Sequence, residues 1–97
     1  MYEVFWDDED GYLKIQWHEE RAYAHAKIFK WSKANYYKAL EIWEATKQEL
    51  AEQGVDKVFV LIPEDDYKLI KFEKMFGFQP ITTHNGVMYM VCSTETE

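Results

Sequence analysis

A single cysteine, Cys92, stands among the 97 residues, so no disulfide can close within the chain, and a reducing cytosol is its natural compartment. No stretch reaches the ~18 consecutive apolar residues that a membrane helix requires, which excludes a helical span. The start, Met1-Tyr2-Glu3-Val4-Phe5-Trp6-Asp7-Asp8, lacks the basic and apolar regions of a signal peptide, so the expected location is cytoplasmic. Cations are few: 11 Lys and Arg against 18 Asp and Glu leave a net charge of −7, which repels phosphate backbones and argues against direct nucleic-acid binding. His18, His25 and His84 show neither H-x-x-x-H nor Cys-x-x-Cys spacing, so no metal site is expected. The run Asp7–Gly11, aligned as a calcium loop on its glycine, would begin at Trp6 and place Trp17 at the bidentate-Glu position; it reads as a solvated acidic turn. Internal repeats, low-complexity tracts and linkers are also lacking, which leaves one domain over 1–97.

What is present is 47% hydrophobic and 18% aromatic, far from the composition of disorder and long enough for one core but not two. Tyr2, Val4 and Trp6 alternate with Glu3 and Phe5, a two-residue period that predicts a strand over 2–6. A second strand, 12–18, carries Leu13, Ile15 and Trp17 on one face and Tyr12, Lys14, Gln16 and His18 on the other. After the polar break Glu19-Glu20, Ala22, Ala24, Ala26 and Ile28 alternate with Tyr23, His25, Lys27 and Phe29 over 21–30. These segments read as an antiparallel meander whose alanine-lined face can lie close against a helix.

Ser32 suits a helix N-cap, and Tyr36, Ala39, Leu40, Trp43 and Leu50 recur at helical spacing up to Gly54, a C-terminal signal; a helix over 33–53 follows. The run Val58-Phe59-Val60-Leu61-Ile62, closed by Pro63, predicts a central or parallel strand covered on both faces. Glu64-Asp65-Asp66 supplies N-terminal carboxylates for a short helix over 65–76, carrying Leu69, Ile70, Phe72, Met75 and Phe76 and ended by Gly77. Segments 78–83 and 87–92 flank Asn85-Gly86, a type I′ hairpin signal. The tail, 93–97, is polar and expected to fray. The predicted class is α/β, in the order β-β-β-α-β-α-β-β.

That order, with the stretch Asp66-Tyr67-Lys68-Leu69-Ile70-Lys71-Phe72-Glu73-Lys74-Met75-Phe76-Gly77-Phe78, resembles the GNAT acetyltransferase fold from its second strand onward, over residues 12–92. The stretch is similar to the family's N-x-x-A-x-x-L-Y-x-K-x-G-F helix. Lys30-Trp31-Ser32 and the segment 71–78 resemble small phage-encoded proteins of this fold. The resemblance implies a mixed sheet of about six strands with both helices on one face, the family's first two helices being missing.

It also implies where acetyl-CoA would sit. The family binds the CoA pyrophosphate on a Q/R-x-x-G-x-G/A loop at the start of the long helix, where glycines let backbone N–H groups approach phosphate. The matching Phe29-Lys30-Trp31-Ser32-Lys33-Ala34 has no glycine, so Trp31 is expected to crowd that nest while Lys30 and Lys33 still favour an anion. Lys30, Trp31, Ser32 and Lys33 are the cofactor-binding candidates, although the expected state is a chain without cofactor. Many members use a tyrosine four residues before the Gly-Phe glycine as general acid; Glu73 stands there, with Asp66 and Leu69 at the Asn and Ala positions. A carboxyl can serve as that acid only if burial raises its pKa by several units, and the polar side of a short helix predicts a solvated Glu73 instead. Tyr67 and Tyr89 are the other catalytic candidates. Cys92, among Val87, Met88, Tyr89, Met90 and Val91, reads as a small core residue.

Four Trp, seven Tyr and six Phe exceed what two helices on one sheet face can cover. With the family's first two helices missing, the opposite face, bearing Tyr12, Tyr23, His25 and Phe29, is expected to be bare, and exposed aromatic patches mark contact surfaces. The expected function is therefore a non-catalytic GNAT-like protein-interaction module, phage-encoded by resemblance, a virion component or host-takeover protein that binds a protein partner or itself through this face. Two other classes stay open. One is a minimal CoA-dependent N-acetyltransferase. The other is an acidic nucleic-acid mimic that occupies a basic site on a DNA-binding protein.

Overall fold

The computed structural model describes residues 1–95. β1 (Tyr2–Asp7), β2 (Gly11–His18) and β3 (Arg21–Ile28) form the antiparallel meander, and α1 (Lys33–Glu52) crosses to β4 (Lys57–Pro63). α2 (Tyr67–Met75) then leads to the hairpin of β5 (Gln79–His84) and β6 (Val87–Ser93). The strands make one sheet in the order β1-β2-β3-β4-β6-β5, antiparallel at every pairing except β3 with β4. β4 is thus both central and parallel to its neighbour, as its apolar run predicts.

Local chemistry sets the element ends. The Ser32 hydroxyl accepts the Asn35 amide at 3.0 Å to cap α1, and the Asp66 carboxylate accepts the Leu69 amide at 3.1 Å to cap α2. Each helix is followed by a glycine in the left-handed region, Gly54 at φ +86° and Gly77 at φ +98°. Asn85 and Gly86 both take positive φ in the β5–β6 turn. So do Glu19 and Glu20 in the two-residue turn between β2 and β3, at φ 50° and 67°, where the sequence offers none of the usual turn residues.

Both helices pack on one face of the sheet. Leu13, Ile15, Ala22, Val58, Val60, Ile62, Met90 and Cys92 share that face through the strand registers and are buried against Ala39, Trp43 and Leu50 of α1 and Ile70 of α2. Trp43 ties the layers together: its ring stacks on Phe78 at 5.5 Å and its indole N–H donates to the Phe76 carbonyl at 2.9 Å.

Three expectations are corrected here. β4 is covered on one face only: Leu61, in the middle of this central strand, is 46% exposed, which a second helical layer would prevent. Trp6 does not share a face with Tyr2 and Val4, because an irregularity between Val4 and Trp6 shifts the register and turns Trp6 into the core opposite Leu13. The tail does not fray from Ser93: Ser93 ends β6, and Thr94 is buried with its hydroxyl donating to the Val55 carbonyl at 2.6 Å and its amide to Asp56 at 3.0 Å. Thr96 and Glu97 lie outside the described residues.

Candidate functional site

β3 and β4 are paired only at Ala22–Val58 and Tyr23–Phe59. Past that point β3 has no sheet neighbour on its β4 side, and two cavities lie along it beneath the helices. One is small, about 30 Å³, space for about one or two waters, between Ala24 and Ala26 of β3, Trp43 of α1, and Phe72, Glu73 and Phe76. The other is an open groove of about 1060 Å³ between the end of β3 and α2, lined by Ala26, Ile28, Trp31, Leu69, Phe72 and Met75 together with Lys27, Lys68, Lys71 and Asp66.

Glu73 is not the solvated residue its helix suggested. It is buried, and burial alone, with no ion pair among the described residues to offset it, pushes its carboxyl up to about 7. The reason is helical phase: Glu73 lies three residues after Ile70 and three before Phe76, both buried, so it falls on the inward stripe. That i±3 relation was readable in the sequence.

The glycine-free turn is closed by its own side chains. Trp31, 54% exposed, lies 5.7 Å from the Tyr36 ring and 6.2 Å from Phe72, bridging the start of α1 to α2, while Tyr36 meets Phe76 at 5.5 Å. The Lys30 carbonyl accepts the Asn35 side-chain amide at 2.8 Å, Ser32 is committed to capping, and the Lys33 ammonium lies 5.9 Å from the Tyr37 ring centre. Of the four cofactor candidates, only Trp31 lines the groove. Tyr67 is 77% exposed on the first turn of α2, and Tyr89 pairs with exposed Leu61 on the opposite side of the sheet, so the three catalytic candidates are not brought together. Lys68 and Lys71 of the groove were not singled out by the sequence pattern.

The acidic turn is likewise tied down rather than simply solvated. Asp8 and Asp10 grip the Lys38 ammonium of α1 at 2.7 and 2.9 Å. The hydrogen bond from Lys38 holds the Asp8 carboxyl well below the usual range, and the two carboxylates push the Lys38 ammonium up. Among the described residues no group of three His, Cys, Asp or Glu is arranged to hold a metal ion, and no helix is long and apolar enough to cross a membrane.

The second candidate surface is the uncovered side of the sheet. Strand register puts Tyr2 and Val4 of β1, Tyr12, Lys14 and Gln16 of β2, Tyr23, His25 and Lys27 of β3, Phe59 and Leu61 of β4, and Val87, Tyr89 and Val91 of β6 on this side. Phe29 continues it at the end of β3 and is exposed, as are Tyr2, Val4 and His25, whereas Tyr12, Tyr23 and Phe59 are half-buried. Ring pairs run across the strands: Tyr2 with His25 at 5.7 Å, Tyr12 with Phe29 at 5.9 Å, Tyr23 with Phe59 at 5.9 Å. The structure therefore brings the expected contact residues Tyr12, Tyr23, His25 and Phe29 onto one surface. His25 Nε2 lies 2.8 Å from Gln16 Oε1, and partial burial pulls its pKa down.

No family model matches this chain, and no curated protein does. Among solved structures, the crystal structure of SsHAT superposes with a TM-score of 0.65 at 24% identity, covering 77% of this chain and 37% of that one. The fold is GNAT-like. At this identity the likeness extends to the architecture alone, and this chain spans little more than a third of SsHAT's length.

Proposed function

We propose that the chain is a non-catalytic GNAT-like protein-interaction module that works through the uncovered side of its sheet. The observation that carries this reading is the apolar surface where Tyr23 adjoins Phe59 and Leu61 of β4 and Val87, Tyr89 and Val91 of β6, with Leu61 exposed, while Tyr2, Val4, Tyr12 and Phe29 extend the face among Lys14, Gln16, His25 and Lys27. Contiguous apolar surface of this kind is rare on a chain that functions alone. The turn before α1 supports the same reading from the other side. It has no glycine to admit a pyrophosphate against the backbone, and Trp31 leans between Tyr36 and Phe72 where the resemblance would put the cofactor. The phage setting, in a virion or in host takeover, rests on the resemblance of Lys30-Trp31-Ser32 and the segment 71–78 alone.

One observation favours the enzyme class. Glu73 occupies the place of the family's general acid, and burial gives it the pKa that a carboxylic acid needs to donate a proton near neutrality. Titration with acetyl-CoA by calorimetry separates the two. The interaction module gives no heat at millimolar ligand. Micromolar binding, with acetyl transfer lost in Glu73→Gln, overturns it in favour of a CoA-dependent N-acetyltransferase.

A further inference from the structure

The uncovered face differs in charge from the chain that carries it. Acidic residues outnumber basic ones in the sequence by 18 to 11, yet Lys14, Arg21, Lys27 and Lys57 all fall on this face by strand register, as do His18, His25 and His84. Among the described strand residues, Asp7, opposite Tyr12 at the very end of β1, is the only carboxylate that the register assigns to it; Glu3 pairs with buried Ile15 on the helix side. Two of the cations lie over rings, the Lys14 ammonium 5.1 Å from the Tyr12 centre and the Arg21 guanidinium 5.6 Å from the Phe59 centre. Cationic heads therefore stand among apolar floor positions, with carboxylates confined to the margin, Asp7 at the end of β1 and Glu19 in the β2–β3 turn, 3.9 Å from His18.

Resting on the interaction reading above, we infer that the occupant of this face is an acidic amphipathic helix of a partner protein. Its apolar stripe lies over Tyr23, Phe59 and Leu61, and its flanking carboxylates meet Lys14, Lys27 and Lys57. A sheet face, unlike a sheet edge, offers no free backbone groups to an added strand, and the apolar stripe of a helix is a layer that packs on such a face. A second copy joined face to face would bring the same cations against themselves across a two-fold axis, which opposes that arrangement. Single-stranded nucleic acid would find rings and cations here, but Val4, Leu61, Val87 and Val91 interrupt the rings with aliphatic groups that give a base nothing to stack on, and the chain's charge of −7 repels phosphate at a distance.

The test uses the whole chain and four synthetic probes: a helical peptide with leucines at i, i+3, i+4 and i+7 flanked by glutamates, the same peptide with lysines for glutamates, a scrambled glutamate peptide, and an oligothymidylate. The glutamate helix is expected to bind and to shift the amide resonances of β2, β3 and β4. Its affinity should fall by about tenfold in Lys14→Glu/Lys27→Glu, checked for an unchanged melt, and should fall with rising salt in the unmodified chain. Equal binding of the lysine helix at the same amides overturns the charge assignment and leaves the protein-docking reading standing. Oligothymidylate binding in place of both helices removes both. Silence of all four probes overturns the inference, and the acetyl-CoA titration then decides the interaction reading by itself.

Discussion

Replacing Glu73 by Gln should change how stability depends on pH more than it changes the fold. A carboxyl that titrates near 7 in the folded chain against 4.5 in the unfolded one keeps its proton in the fold where the unfolded chain has released it. The associated stability is therefore fully present below pH 4.5, is lost as pH rises through 7, and changes no further above that. At ~1.4 kcal/mol per pH unit between those values, ionised Glu73 costs the fold about 3 kcal/mol by pH 8. For a domain of this size, that corresponds to a fall in melting temperature of roughly 10–20 °C between pH 5 and pH 8. Gln keeps the size and polarity of the side chain and removes the ionisation. Its thermal melts should lie close to the parent at pH 5 and well above it at pH 8. His25, whose pKa burial lowers, adds an opposite slope below 6.5, but it is present in both proteins and cancels in their difference. A difference between the two curves that does not vary with pH, or a carboxyl resonance of Glu73 titrating in the ordinary range, would refute burial of this acid.

Other perturbations test separate parts of the structure. Gly11→Ala would drive a methyl group into the Lys27 carbonyl and the Trp6 ring, and should cost about 3 kcal/mol or more in urea denaturation; a change under ~1 kcal/mol contradicts the close β2–β3 approach. Trp43→Phe leaves the buried Phe76 carbonyl only the weak Cys92 thiol donor at 3.8 Å and should cost about 2 kcal/mol by the same assay, with near-neutrality refuting the indole hydrogen bond. Glu19→Asn/Glu20→Gly places residues suited to positive φ in the β2–β3 turn and should stabilise by about 1 kcal/mol; destabilisation would mean the turn has another geometry. Lys38→Met should raise the Asp8 carboxyl toward its ordinary range in an NMR titration, with the Asp10 amide still holding it down in part, and no movement would show that the contact is absent in solution.

The order of elements was legible because each carries its own local signal: period-two alternation in β2 and β3, Ser32 and Asp66 as caps, Gly54 and Gly77 as stops, Asn85-Gly86 as a turn. These features act over three or four residues, within reach of a reading along the chain. What escaped it needed the third dimension. The register irregularity that turns Trp6 inward depends on how β1 meets β2, not on β1 alone. The grip of Asp8 and Asp10 on Lys38 depends on how close the β1–β2 turn comes to α1, which no local pattern records. For the uncovered face, the pattern named Tyr12, Tyr23, His25 and Phe29, and register gathers them. The concentration of cations there was hidden by a net charge that averages over both sides of the sheet. At the groove, the missing glycine was plain in the sequence, whereas nothing in the pattern singled out Lys68 and Lys71.

The short contact between β3 and β4 has a consequence for how the chain opens. Each half of the sheet, β1–β2–β3 and β4–β6–β5, is closed by full-length antiparallel ladders, but the halves share only two residue pairs. The centre of a sheet is ordinarily the last place to exchange its amide protons. Here it is a seam, bridged chiefly by the side chains of α1 and α2. The β1–β2–β3 meander can form from contacts near in sequence, whereas β4 must reach β6 across α2, and joining β3 to β4 closes the long loop through α1 for few hydrogen bonds. The same seam is where the native chain should first come apart, with β3 beyond Tyr23 exchanging faster than β2 or β6 on either side of it.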